Sequence, residues 1–185
     1  MRLLVTVKLE NKLNSKIIKI GILGGTFDPA HKGHLSISKK AKKIFNLKYI
    51  IWAVTKKNPF KNKSNTSLNQ RIKFAKKFTD SNKFIKIKFY EDKIQSNKTI
   101  DLINHLSKNK SLDINFIMGA DNLINFHKWH KWRLISQKCN ILVFDRYGYK
   151  SKSLKSITFK HLNQKNLEFI NFKKVNISSS QLRKI

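Results

Sequence analysis

Hydrophobic and polar positions alternate along the chain in blocks that switch between two periods. Ile17 to Leu23 is a short, β-branched run that is apolar on both faces, the pattern of a central parallel strand. Two glycines, Gly24 and Gly25, end it. A helix is then predicted over Gly33 to Asn46, with Leu35, Ala41, Ile44 and Phe45 as its inward stripe. Tyr49 to Val54 gives a second strand, completing a β-α-β unit whose crossover should be right-handed.

Thr55 to Ser67 is polar, contains Asn58-Pro59 and reads as a loop. Leu68, Ile72, Ala75 and Phe78 recur at helical spacing. Ile85, Ile87 and Phe89 alternate with Lys86 and Lys88, as in a half-exposed strand near a sheet edge. Ile100, Ile103 and Leu106 mark a short helix over Thr99 to Ser107, and Ile114 to Met118 is a further buried strand ending at Gly119. Asp121 to Ser136 is helical in two pieces broken around His127 and Lys128, followed by a strand at residues 139 to 144. Asp145 to Lys165 is polar and loop-like apart from a weak strand or turn. A short segment, Leu167 to Ile170, precedes a helix start at Ser178 to Ser180.

This alternation predicts an α/β fold: a three-layer, Rossmann-like arrangement on a mostly parallel sheet. Residues 17 to 185 are expected to form one domain, with residues 1 to 16 an extension or an extra edge strand. A parallel sheet binds ligands beyond the carboxyl ends of its strands. Gly24, Thr55 and Gly119 should therefore converge on one crevice.

Composition adds less than its extremes suggest. Forty Lys plus Arg against ten Asp plus Glu give a net charge of +30, a field attractive to any polyanion. The lysines are spread through nearly every segment, without an arginine-rich arm, a zinc finger or an RNP pattern. Together with the excess of Asn and Ile this reads as a general compositional bias, and no specific nucleic-acid partner is expected. The one cysteine, Cys139, sits in an apolar run and reads as a small buried hydrophobe. No apolar run approaches the roughly 18 residues of a membrane span, and the N-terminus lacks the core and cleavage site of a signal peptide. A cytoplasmic protein is the expectation, with monomer and homo-oligomer left open.

The candidate chemistry lies in Gly24-Gly25-Thr26-Phe27-Asp28-Pro29-Ala30-His31-Lys32-Gly33-His34. Glycines permit a turn and close backbone approach, and the helix start offers unpaired N–H groups to a phosphate. His31 and His34, three residues apart, can donate to phosphate oxygens, and as imidazolium would oppose charge that builds in phosphoryl transfer. Thr26 adds a hydroxyl. The loop is neither a P-loop nor a GxGxxG turn.

From Gly25 to His34 the chain resembles the GTFDxxHxGH signature of the nucleotidyltransferase superfamily. The resemblance implies that a nucleotide is joined to a phosphate ester with release of pyrophosphate, the two histidines binding ATP phosphates. Over about residues 18 to 185 the chain is similar to the bacterial nicotinate-nucleotide adenylyltransferases, which make deamido-NAD from ATP and nicotinate mononucleotide.

That resemblance implies roles residue by residue. Gly24, Gly25, Thr26, Phe27, His31 and His34 form the first nucleotide loop, and Lys61, in Asn58-Pro59-Phe60-Lys61, supplies charge near phosphate. Thr99, in Lys98-Thr99-Ile100-Asp101, receives the nicotinate carboxylate, with Lys98 standing where the family has an aromatic residue. Gly119 and Asp121 belong to the nucleotide site, Trp129 stacks on the pyridine ring in preference to Trp132, and His130 frames that pocket. In Ile177-Ser178-Ser179-Ser180-Gln181-Leu182-Arg183, Ser179, Ser180 and Arg183 surround the triphosphate. Catalysis is assigned to His31, His34, Lys61 and Arg183. Mg²⁺ would be bound mainly through ATP, with no protein metal cage. The first and last motifs are shared with phosphopantetheine adenylyltransferase, so that acceptor, the amide mononucleotide and a basic RNA-binding role stand as alternatives.

Overall fold

The computed structural model describes residues 17–57, 64–162 and 166–172. The chain opens with β1 (Ile18–Gly25), α1 (Lys32–Phe45) and β2 (Tyr49–Val54). Helix α1 ends on Asn46, which takes the left-handed conformation that releases a chain from a helix, after Lys42 and Lys43 in its last turn. Next come α2 (Leu68–Phe78), β3 (Ile85–Phe89), α3 (Glu91–Ile94), α4 (Thr99–Leu106) and β4 (Leu112–Gly119). Ser67 and Gln70 start α2 with a reciprocal capping box. The remainder is α5 (Ala120–Asn125), a 3-10 turn at Phe126–Lys128, α6 (Trp132–Lys138), β5 (Asn140–Phe144), α7 (Lys150–Leu154), α8 (Ile157–Leu162) and β6 (Leu167–Ile170).

The six strands lie in the order β3-β2-β1-β4-β5-β6, and every pairing between them is parallel. The order reverses between β1 and β4, so the topological switch point lies between the carboxyl ends of these two strands. Gly21 lies at the centre of β1, where a Cβ would come within 2.8 Å of Ile117 and 3.0 Å of Ile50 and Leu47. Only glycine lets the strand and its neighbours pack this closely.

Alternate residues of the inner strands enter separate cores. Ile20, Ile22, Ile51, Phe116, Ile141 and Val143 pack with α4, α5 and α6 on one face. Leu23, Ile50, Trp52, Ile117, Leu142 and Phe144 pack with α1 and α2 on the other. The result is the three-layer α/β architecture read from the sequence, built on one continuous sheet.

Some local expectations change. Ile44 does not join the inward stripe of α1 but is 46% exposed, while Ser38 is buried in its place through hydrogen bonds to neighbouring groups. The polar stretch after β5 is not a loop: it forms α7 and α8. Its inward positions are Ser153, Ser156 and Thr158, buried because their hydroxyls are bonded to Lys150 O, Ser153 O and His127 N–H. No apolar period announces such a helix. Cys139 is buried, which pushes its thiol up to about 12 and leaves it no nucleophile. Among the described residues no helix is long and apolar enough to cross a membrane. Residues 1 to 16 and the helix start at Ser178 to Ser180 lie outside the described residues.

Candidate active site

Gly24 and Gly25 do not make the turn expected of them; they complete β1 in extended conformation, opposite Ala53 and Val54 of β2. The left-handed residue is Phe27, at φ 48°, a conformation costing a non-glycine residue roughly 1–2 kcal/mol. Packing offsets that cost: the Phe27 ring is 1% exposed and stacks on Trp52 at 4.8 Å and 6°. Any contribution of Phe27 to a ligand therefore comes from its backbone. At Gly24 a Cβ would meet Phe116 at an ordinary 3.9 Å, so what glycine preserves there is open crevice.

His31 is the N-cap of α1, and the two histidines form a capping box between themselves. His31 Nδ1 accepts the Gly33 N–H at 3.1 Å, and His34 Nδ1 accepts the His31 N–H at 3.3 Å. A nitrogen that accepts carries no proton, so each ring holds its proton on Nε2. The ring centroids lie 3.8 Å apart. Beneath them Trp52 Nε1 donates to Ser38 Oγ at 2.8 Å, and Ser38 Oγ donates to His34 O at 2.9 Å. A buried indole on β2 thereby fixes the first turn of α1.

Two further buried polar residues hold this loop: Asp28, quoted in the signature but given no role of its own, and Arg71, which the sequence reading missed. Asp28 accepts from Asn65 N–H at 2.7 Å and from Thr66 Oγ1 at 2.6 Å. The Arg71 guanidinium donates to the carbonyls of Thr26, Thr55, Lys56 and Thr66. Burial lowers the Arg71 pKa, and the nearby Asp28 and Glu91 charges oppose that shift. An arginine remains charged at any physiological pH.

Alongside the loop a cleft of about 400 Å³ opens over the ends of β1, β2 and β4. It brings together five of the expected residues: Gly24, Gly25, Thr99, Trp129 and His130. Thr99 is the first residue of α4, whose N-cap Lys98 also lines the cleft. Trp129 is half-buried, edge-on to Phe126 at 5.2 Å and Phe116 at 6.1 Å, and presents itself to the cleft. Trp132 is 8% exposed and belongs to the core. Tyr90 and Glu91 complete the opposite wall. Burial raises the pKa of both: for Tyr90 the Tyr49 hydroxyl adds to the shift, whereas for Glu91 the Lys56 N–H, bonded to its carboxylate, opposes it.

Gly119 is the N-cap of α5. Asp121 forms an ion pair with Arg146, another residue the sequence reading missed although it lies two positions beyond β5. The other carboxylate oxygen, Asp121 Oδ1, is buried with no hydrogen-bond partner among the described residues. Gly119 and Asp121 do not line the cleft; Asn122, one residue on, does. Among the described residues no group of three or more His, Cys, Asp or Glu side chains gathers to hold a metal ion. Lys61, Ser179, Ser180 and Arg183 lie outside the described residues.

Comparison with known proteins places this geometry. A cytidylyltransferase-like family model matches residues 22–185. A "Probable nicotinate-nucleotide adenylyltransferase" of Pelagibacter ubique is 72% identical over 179 residues, covering 97% of this chain and 99% of that protein. One of the same description from Clostridium botulinum is 36% identical over 172 residues, covering 90% and 84%. Among solved structures, the Plasmodium falciparum nicotinic acid mononucleotide adenylyltransferase complexed with NaAD superposes with a TM-score of 0.72 over 90% of this chain and 83% of its own. At 20% identity that likeness establishes a shared fold. The chain belongs to the cytidylyltransferase-like family and, within it, to the nicotinate-nucleotide adenylyltransferases.

Proposed function

We propose that the protein transfers the adenylyl group of ATP to nicotinate mononucleotide, giving deamido-NAD and pyrophosphate in the cytoplasm. The observation that carries this reading is the histidine pair at the N-terminus of α1, beyond the end of β1 and beside a cleft walled by Trp129 and Thr99. A phosphate chain fits the first feature. A flat, anionic heterocycle fits the second, stacked on the indole with its carboxylate toward the start of α4.

In this mechanism a phosphate oxygen of the mononucleotide attacks the α-phosphorus of ATP in line, and the bond to the pyrophosphate oxygen breaks. His31 and His34 donate to phosphate oxygens, and their rigid placement stabilises charge without reorganisation. Thr26, Lys61, Ser179, Ser180 and Arg183 are assigned to the triphosphate, Gly119 and Asp121 to the nucleotide, and His130 to the rim of the pyridine pocket. No protein nucleophile is required; proximity supplies the rate. A divalent cation, Mg²⁺, fits as a passenger on the triphosphate, because ATP and water would supply most of its ligands, and it would offset charge on the departing pyrophosphate.

The test is product identification by mass spectrometry after incubating the purified protein with ATP and Mg²⁺ plus nicotinate mononucleotide, its amide or phosphopantetheine. Deamido-NAD as the dominant product is expected. Preferential turnover of the amide or of phosphopantetheine would overturn the acceptor, and RNA binding indifferent to His31→Ala, with no turnover of any acceptor, would overturn the enzyme.

A further inference from the structure

Arg71 is a cation with 3% of its surface exposed, near the start of α2 and outside the cleft lining. The guanidinium donates to backbone carbonyls of the loops around it. Nη1 donates to Thr26 O at 2.5 Å and Thr55 O at 2.8 Å, Nη2 to Lys56 O at 3.2 Å, and Nε to Thr66 O at 3.3 Å. These acceptors come from the first loop, the exit of β2 and the entry to α2. Four directed bonds from one planar group to three chain segments require the arginine fork; a lysine ammonium has no fixed plane from which to reach them.

The place of this guanidinium explains its effect. The β1–β2 ladder ends with Thr55 N–H donating to Gly25 O at 2.9 Å, after which the two chains part. Arg71 fills the fork immediately beyond. By holding Thr26 O it fixes the peptide plane between Thr26 and Phe27, and so the direction of the Phe27 N–H, on the amino side of the left-handed residue. By holding Thr55 O it fixes the next peptide plane on the other branch, whose Lys56 N–H points to Glu91 in the cleft wall. Asp28 closes the same fork from the first loop by accepting from Asn65 N–H and Thr66 Oγ1.

We propose that Arg71, assisted by Asp28, is a positioning residue that sets the backbone of the phosphate loop against the exit of β2, in support of the adenylyl transfer proposed above. The clamp touches the first loop, assigned to ATP, and reaches the cleft only at Thr55, on the end of β2, while Trp129 and Thr99, assigned to the acceptor ring, lie on other elements. Its removal should therefore act on ATP and on turnover, and spare the acceptor.

The experiment compares Arg71→Lys with Thr79→Val. Thr79 is a buried residue ending the same helix, whose hydroxyl bonds Ala75 O and which is remote from the loop. Circular dichroism fixes the folded fraction of each variant. Per folded molecule, Arg71→Lys is expected to lower kcat by about 100-fold, the scale of an ångström-sized misplacement. It should also weaken a non-hydrolysable ATP analogue severalfold while leaving KM for nicotinate mononucleotide within twofold. Thr79→Val should lose stability alone. Equal effects of the two variants, or a parallel rise in acceptor KM, would overturn the proposal. If Arg71→Lys does not fold, Asp28→Asn decides, with the same split at smaller size expected. If the wild type makes no deamido-NAD, the acceptor reading fails, and the affinity of the ATP analogue in the same variants still judges the clamp.

Discussion

At the carboxyl end of β1, His31 and His34 are fixed by backbone N–H groups, the loop beneath them by Trp52 and Ser38, and its flank by Asp28 and Arg71. At the end of β4, Asp121 has one buried oxygen without a hydrogen-bond partner among the described residues and places the other on a partly exposed Arg146, and Trp129 stands half-buried at the cleft wall. One lip of the crevice is held before any ligand arrives; the other keeps polar capacity in reserve. The difference matches the chemistry assigned to each, since transition-state charge is stabilised best by donors that do not reorganise. Recognition of a heterocycle tolerates more adjustment.

The contrast breaks most sharply at the histidines. His31→Ala or His34→Ala should cost about 10²- to 10³-fold in kcat, the scale for one preorganised donor to a reacting oxyanion. Each also removes half of the capping box, at about 1 kcal/mol of stability. Steady-state rates with thermal melts separate the two losses, and unchanged turnover would remove the histidines from the phosphate site. Next in size is a divergence between the two tryptophans. Trp132→Ala should destabilise the fold by roughly 3–5 kcal/mol with little effect on KM per folded molecule. Trp129→Ala should raise the acceptor KM by about 10- to 100-fold, as expected for a stacking contact of about 1–3 kcal/mol. Equal effects on stability would erase the distinction between core and cleft.

A smaller change sharpens the rigid lip. Trp52→Phe can keep the stack on Phe27 but removes the donor to Ser38, so a loss of about 1 kcal/mol is expected by chemical denaturation, with a fall in kcat below that of the histidine variants. Smallest is Cys139, away from both lips. Its folded pKa is raised from 9.0 to about 12. The neutral thiol therefore adds stability that is fully present below about pH 9 and lost as pH rises toward 12. Cys139→Val should flatten that alkaline limb of the stability curve slightly, and an identical limb in the variant would contradict the assignment.

The strands and most helices were legible because parallel strands buried on both faces read as apolar runs, and Ala75, Ile100 and Ile103 recur at helical spacing. Residues Gly24 to His34 stood out as a candidate phosphate loop, yet the geometry of that segment did not follow from its composition. The glycines stay extended, Phe27 makes the left-handed turn because Trp52 supports it from another strand, and the histidines cap one another. Helices α7 and α8 were illegible because hydroxyl residues, Ser153 and Thr158 within them and Ser156 between them, are buried beside the single apolar Leu162. Arg71 and Arg146 carried a faint signal. Only five of the forty basic residues are arginines, at Arg2, Arg71, Arg133, Arg146 and Arg183. At Arg71 the planar fork is what the position uses.

The most direct test of direct adenylyl transfer follows the α-phosphorus itself. With ATP labelled there, Mg²⁺ and nicotinate mononucleotide, all transferred label should enter deamido-NAD, one equivalent of unlabelled pyrophosphate should appear for each, and nothing should remain on denatured protein. Label bound covalently to the chain, or released as AMP at the same rate without the acceptor, would contradict the account.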